Sequence, residues 1–217
     1  MNERIRRASF VFWLVCCCGW LLPTRAAVAA EGVSKYLPLA VGNRWVYESS
    51  EGSEAAPALE SWEVLRQEGR GFVLRIQQPF ITFEGVEERF ELASGGLHRR
   101  IQNASVSATQ VLLRSPLKVG AQWQDADGGR SAVTAVGETV TIPAGTFADC
   151  VEITRRGKGS QTTVVSTYAP GVGMVQREET FAMIYGGAGG DFLTSAKGRV
   201  VLRLKEWTVQ KAAPQQP

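Results

Sequence analysis

Histidine and cysteine are scarce in this chain, which removes most of the chemistry that proteins build on them. Of its 217 residues, one is histidine and four are cysteine. Three cysteines stand together at positions 16–18, so the rest of the chain has only Cys150, in a strand-like run where we expect a small buried apolar residue. A zinc site of the usual cysteine and histidine type lacks ligands, and a catalytic triad has only His98 to draw on.

Motifs of nucleotide binding and of hydrolases are also absent. The chain contains neither a GxxxxGK[ST] phosphate loop nor a GxSxG nucleophile motif. The run Asp125-Ala-Asp-Gly-Gly129 resembles a calcium loop, but its twelfth position is Val136, where an EF-hand needs glutamate. The pairs Glu87-Glu88 and Glu178-Glu179 are neighbours on predicted strands, so the side chains of each pair point to opposite faces. We predict that the protein is not an enzyme, with no catalytic residue, metal site or cofactor.

The first thirty residues have the pattern of an export signal. A basic start with three arginines precedes the apolar run FVFWLVCCCGWLL, from Phe10 to Leu22, and small residues follow up to Ala30. This order is typical of a secretory signal peptide. The apolar run is shorter than the roughly 20 residues that a spanning helix needs, and an uncleaved membrane anchor is the alternative. We predict a signal peptide over residues 1–30, a periplasmic or extracellular location, and no transmembrane segment after cleavage.

Removal of the signal leaves a chain without net charge. Residues 1–30 carry four arginines and one glutamate, and taking them from 24 basic and 21 acidic residues leaves 20 of each. Because net charge supports no basic surface, we predict no binding of nucleic acid. The clusters Arg99-Arg100 and Arg155-Arg156-x-Lys158 are interpreted as solvated ends of strands.

Apolar and polar residues alternate along most of the chain, which predicts β-strands. Val86, Glu88, Phe90 and Leu92 share one face of such a strand, and no window of eleven residues shows a convincing helical period. We predict an all-β fold: a wide, curved antiparallel sheet or open barrel of about ten to twelve strands.

Turn sequences separate these strands within a single domain. Ile142-Pro-Ala-Gly145 predicts a hairpin turn, and Ala169-Pro-Gly-Val172 predicts a type II turn in which Gly171 takes a positive φ. The β domain is predicted over residues 31–211, and residues 212–217 are predicted to be a disordered tail.

The phrase Pro-Leu-x-Val-Gly-x-x-Trp occurs twice, at positions 38–45 and 116–123. Similar turns and strands follow each copy, so we predict an internal repeat of about residues 36–113 and 114–209. Tryptophan buries a large apolar area, which makes Trp45 and Trp123 equivalent core anchors in this interpretation. A ligand platform is the alternative role for the two tryptophans.

Three motifs together resemble uncharacterised exported bacterial proteins of the domain-of-unknown-function type. They are the PLxxGxxW opening, the PAGTFxxC hairpin in TIPAGTFADCVEI, and the APGVGxV turn in YAPGVGMVQRE. At fold level, such proteins are similar to periplasmic lipoprotein carriers, in which a strongly curved antiparallel sheet holds an apolar groove for acyl chains. The resemblance covers residues 36–177 and implies a fold rather than a function.

The export signal, the wide sheet and the missing catalytic groups favour an exported envelope protein with an apolar concavity. We expect it to bind a hydrophobic small molecule or lipid, or to serve as a scaffold for another envelope protein. Alternation assigns Phe83, Phe90, Tyr168 and Met183 to the concave face as ligand contacts. The alternatives are a purely structural or protein-interaction module with a filled core, and an enzyme that works through aspartate or glutamate alone.

Overall fold

The computed structural model describes residues 32–51, 57–78, 85–102, 107–159, 161–186 and 193–210, and it describes the backbone alone at 102, 183–186 and 193–196. The predicted signal peptide and the predicted tail lie outside these residues. The described residues form twelve strands: β1 (Arg44–Glu51), β2 (Ala58–Glu68), β3 (Gly71–Gln77), β4 (Val86–Ala93), β5 (Gly96–Gln102), β6 (Ser107–Arg114), β7 (Gln122–Gln124), β8 (Arg130–Ile142), β9 (Gly145–Arg156), β10 (Thr163–Ala169), β11 (Gly173–Gly186) and β12 (Leu193–Thr208).

All twelve strands belong to one antiparallel sheet, which confirms the predicted all-β fold. The strand order is β6-β5-β4-β3-β2-β1-β12-β11-β10-β9-β8-β7. Consecutive strands therefore pair except β6 and β7, and β1 pairs with β12. The sheet curls into a nearly closed barrel, with β6 and β7 as its edges. Both predicted turns are present, because Ile142 pairs with Gly145 in the β8–β9 hairpin and Gly171 has a φ of +74°.

Six strands follow each copy of the repeated phrase, and the two copies have closely similar backbones. Gly42 and Gly120 adopt φ angles of +88° and +86°, which glycine reaches without steric cost. The N–H of Gly42 donates to Val64 O and that of Gly120 to Val133 O, each at 2.9 Å. The internal repeat itself stays a prediction, now with a matching local geometry at both copies.

The two repeated tryptophans are buried, as predicted for core anchors, and both use their indole nitrogen. Trp45 Nε1 donates to Val172 O at 2.6 Å, and Trp123 Nε1 donates to Val111 O at 2.8 Å. Each ring therefore fills apolar space and also donates to a backbone carbonyl of another segment.

Side chains close the seam between the two edge strands. An edge strand exposes N–H and C=O groups that a neighbouring strand would otherwise pair. The carbonyl of Val111 in β6 accepts a hydrogen bond from Trp123 of β7. The N–H of Val111 donates to Oδ1 of Asp125, just beyond β7, at 2.9 Å. Asp125 is itself buried and accepts from Arg155 Nε at 2.8 Å. The run Asp125–Gly129 is thus a turn, and its first aspartate joins the barrel edges.

Apolar side chains fill a large part of the barrel interior. Tyr47, Trp62 and Phe90 form an aromatic row, with ring centroids 5.6 Å and 6.1 Å apart. Cys150 is also buried in this core, as expected, and burial raises the pKa of its thiol. Residues that pack together in this way supply most of the hydrophobic stabilisation of a small domain.

The seam interpretation predicts the effect of Trp123→Phe. The substitution keeps an aromatic ring but leaves the Val111 carbonyl without its donor, and an unsatisfied buried group costs about 1–3 kcal/mol. We expect the free energy of unfolding, measured with urea, to fall by about 2 kcal/mol. The control Trp207→Phe removes an indole nitrogen at a site that is 40% exposed, and it should change stability by less than about 0.5 kcal/mol. Equal losses in both variants would contradict the seam.

Candidate functional site in the barrel interior

The structure brings two of the four predicted ligand contacts together in the core. Phe90 and Tyr168 are 0% and 3% exposed, and Phe90 packs beside Trp62. Phe83 lies outside the described residues. Met183 belongs to β11, and only its backbone is described. The described pair is therefore buried in the core, and its contact with a ligand stays a prediction.

Charged side chains also point into this interior, which the sequence analysis did not predict. Residues directly opposite one another in antiparallel strands share a face of the sheet. Glu60 lies opposite Tyr47, Glu88 opposite Leu74, Arg99 opposite Phe90, and Arg177 opposite Ser166. We call Glu60, Glu88, Arg99, Tyr168 and Arg177 the interior polar cluster.

Glu60 of β2 is the most unusual member of the interior polar cluster. It is 4% exposed, and Trp62 Nε1 donates to its Oε1 at 2.6 Å. Burial raises the pKa of Glu60, because the charged carboxylate loses its hydration, while the Trp62 hydrogen bond and the charge of Arg177 oppose the rise. A carboxyl group in this state is readily protonated and can then donate a hydrogen bond.

Glu88 and Arg99 form a buried ion pair between β4 and β5. Arg99 Nη2 lies 2.7 Å from Glu88 Oε1, and Arg99 Nε contacts Glu88 Oε2, so the guanidinium is held at two points. Both side chains are largely buried, which makes the interpretation of Arg99 as a solvated strand end wrong. The available signal was the alternation itself, since Glu88 shares a face with Phe90.

Arg177 of β11 completes the interior polar cluster from the other half of the sheet. Its Nη2 lies 2.6 Å from Glu179 Oε2, while its Nε is buried and finds no acceptor among the described residues. Burial raises the pKa of Tyr168, and the charges of Arg177 and Arg99 work in the opposite direction. Arg99 of β5 and Tyr168 of β10 belong to distant strands of the sheet, so their electrostatic contact runs across the barrel.

His98 lies outside the interior polar cluster. His98 is half-buried beside Arg89 and Arg100, and one of its ring nitrogens lies 2.9 Å from Ala93 O. Within the described ranges, no three histidine, cysteine, aspartate or glutamate residues are placed to hold a metal ion. The described residues also contain no helix that is long and apolar enough to cross a membrane.

Comparison with known proteins yields similarity in solved structures only. No protein-family model matches the chain, and neither does any curated protein. The chain is similar to a candidate exported protein with a YmcC-like fold from Bacteroides fragilis, at 13% identity and a TM-score of 0.48, covering 80% of this chain and 98% of that one. It is also similar to a candidate lipoprotein from Parabacteroides distasonis, at 15% identity and a TM-score of 0.42, covering 81% and 99%. At these values neither similarity transfers a function, and the predicted motif family stays a prediction.

The raised pKa of Glu60 predicts a specific pH dependence for Glu60→Gln. Because the folded protein holds this proton more tightly than the unfolded chain, the contribution of Glu60 to stability falls as pH rises through the folded pKa. The variant keeps an oxygen for Trp62 but has no proton to lose. Its free energy of unfolding, relative to the natural protein, should therefore rise between pH 4 and pH 8 in urea denaturation.

Glu178→Gln is the matched control for this pH dependence, with the opposite sign. The hydrogen bond from Arg199 lowers the pKa of Glu178, so this carboxylate stabilises the fold above its unfolded pKa and loses that effect as pH falls. The stability of the variant relative to the natural protein should decline as pH rises. The same trend in both variants would show that Glu60 is not desolvated in the folded protein.

Proposed function

We propose that this chain is an exported protein of the cell envelope that binds a small amphipathic molecule inside its barrel. The export part of the proposal rests on the signal-like pattern of residues 1–30. The binding part rests on one observation, the interior polar cluster in a barrel that is otherwise packed with apolar side chains. The proposal assigns no catalytic role to any residue.

Buried charges are expensive, and this cost supports a binding function over a purely structural one. Apolar residues of similar volume often stabilise a core as well as a buried ion pair does, or better. Glu60, Glu88 and Arg99 nevertheless occupy inward positions of β2, β4 and β5, where apolar residues would serve packing. Ionisable groups with perturbed pKa values also concentrate at functional sites.

The neighbours of the interior polar cluster favour a ligand with two kinds of surface. Trp62 and Phe90 offer an aromatic wall, whereas the buried Nε–H of Arg177 has no acceptor in the described part of the chain. An oxygen-bearing head group gains a hydrogen bond at Arg177, and an acyl or aromatic part gains apolar contact. The expected hydrophobic ligand is therefore refined to an amphipathic one, with Tyr168 as a contact and Phe83 and Met183 retained as proposed apolar contacts.

Three twelve-carbon amphiphiles with different head groups test this proposal. Dodecanoate, dodecyl maltoside and dodecyltrimethylammonium are titrated below their critical micelle concentrations, and tryptophan fluorescence is followed because Trp62 contacts Glu60. We expect saturable binding that is tightest for dodecanoate, since the unpaired group of Arg177 is a donor. Arg177→Gln should weaken dodecanoate binding at least tenfold, as loss of a hydrogen bond to a charged partner does.

Arg199→Gln is the control, because Arg199 is an exposed arginine that pairs with Glu178. Its dodecanoate affinity should equal that of the natural protein. If none of the three amphiphiles binds saturably, or if Arg177→Gln and Arg199→Gln behave alike, the interior does not bind such ligands. The filled-core structural module would then be the better description.

A further inference from the structure

A groove of about 540 Å³ lies on the surface of β7, β8 and β9, away from the interior polar cluster. We infer that this groove binds an anionic group of the phosphate class. Its polar side chains come from the three strands and from the residues just after β9, and they include Gln122, Gln124, Arg130, Thr154, Arg156 and Lys158. We call this surface the basic groove, and its volume is in the range typical of small-ligand sites.

Strand pairing places two arginines of the basic groove directly opposite each other. Gln124 pairs with Arg130, and Arg130 pairs with Arg156, so the three side chains form one row on the same face. Like charges in opposite positions of an antiparallel pair destabilise a sheet. The row lies at solvent-exposed positions, where packing does not require arginine, so an anion that bridges the two guanidinium groups accounts for their placement.

The acidic residues beside the groove have other partners. Glu152 accepts a hydrogen bond from Thr134 Oγ1 at 2.6 Å. Arg155 faces the opposite side of β9 from Arg156, and it pairs with Asp125 and Asp127. Although partial burial opposes it, the Gly129 N–H and the Arg155 guanidinium together lower the pKa of Asp127. None of the described residues that line the groove is acidic, so its cationic groups have no carboxylate within the lining.

Lys158 is held at the rim of the basic groove by close packing against the β7–β8 turn. A Cβ added to Gly128 would lie 2.5 Å from Lys158 Cδ, so the lysine chain lies directly on this glycine. Gly128 also has a φ of +81°, a conformation that glycine favours. Lys158 and the two arginines therefore offer three cationic groups around one space, and Thr154, Gln122 and Gln124 add neutral hydrogen-bonding groups.

Phosphate oxygens suit this set of donors. Guanidinium groups bind phosphate through two parallel hydrogen bonds, and lysine adds a point charge. Such a group is found on soluble phosphate compounds and on phospholipid heads. Both kinds of ligand, the soluble compound and the lipid head group, present the same anionic phosphate oxygens. The two experiments below distinguish between them.

Pyrophosphate titration by calorimetry tests the soluble source. We expect saturable binding that weakens at least tenfold in Arg156→Gln and in Lys158→Gln. Arg199→Gln is the control for Arg156→Gln, and Lys118→Gln is the control for Lys158→Gln, because each makes the same charge change elsewhere on the surface. Both controls should bind pyrophosphate with the affinity of the natural protein. Circular dichroism and urea denaturation establish that each variant is folded.

Vesicle co-sedimentation tests the lipid source with the same variants. Phosphatidylglycerol vesicles are compared with phosphatidylcholine vesicles, which carry no net charge. Binding to the phosphatidylglycerol vesicles that Arg156→Gln removes and Arg199→Gln retains would assign the groove to an anionic head group. The inference is overturned if neither pyrophosphate nor phosphatidylglycerol binds, or if the groove variants and their controls lose affinity to the same extent.

Discussion

The barrel depends on how the two free edges of its sheet are satisfied. A sheet of twelve strands has unpaired backbone donors and acceptors at both edges, and these groups can pair with strands of other chains. Closure or coverage of the edges prevents such pairing. Here β7 has three residues and cannot form a long ladder. The side chains of Trp123 and Asp125 bind both backbone groups of Val111 in its place. Closure of this kind encloses an interior and thereby reduces the hydration of the side chains that point into it.

Enclosure changes the meaning of the charged residues in alternating strands. On an open sheet, Glu88 and Arg99 would be solvated and their pairing would contribute little. Inside the barrel they lose hydration, so removal of either partner would leave an uncompensated buried charge, and the two-point contact fixes the positions of both side chains. The same loss of hydration raises the pKa of Glu60. The interior is therefore a region in which a few polar groups are buried away from solvent and held in place by one another.

The outer face of β8 and β9 shows how one stretch of chain serves both surfaces. Arg155 and Arg156 are neighbours in sequence, but the pleat sends one toward Asp125 and the seam, and the other toward Arg130. A single basic cluster thus supplies a structural ion pair and a cationic surface. The sequence analysis interpreted this cluster as solvated strand ends. That interpretation is wrong for Arg155, which is largely buried, whereas Arg156 is exposed as expected.

The sequence by itself determined the fold class, the positions of the turns and the burial of Trp45 and Trp123, because alternation, glycine and proline act through local geometry. The same alternation placed Glu88 and Phe90 on one face, but it does not say whether that face meets water. Only the tertiary structure decided that Glu60, Arg99 and Arg177 are enclosed, that Val111 receives its partners from Asp125 and Trp123, and that Arg130 opposes Arg156. These features depend on contacts between distant strands, and the physical reason is that side-chain hydration is set by the closed barrel rather than by neighbours in sequence.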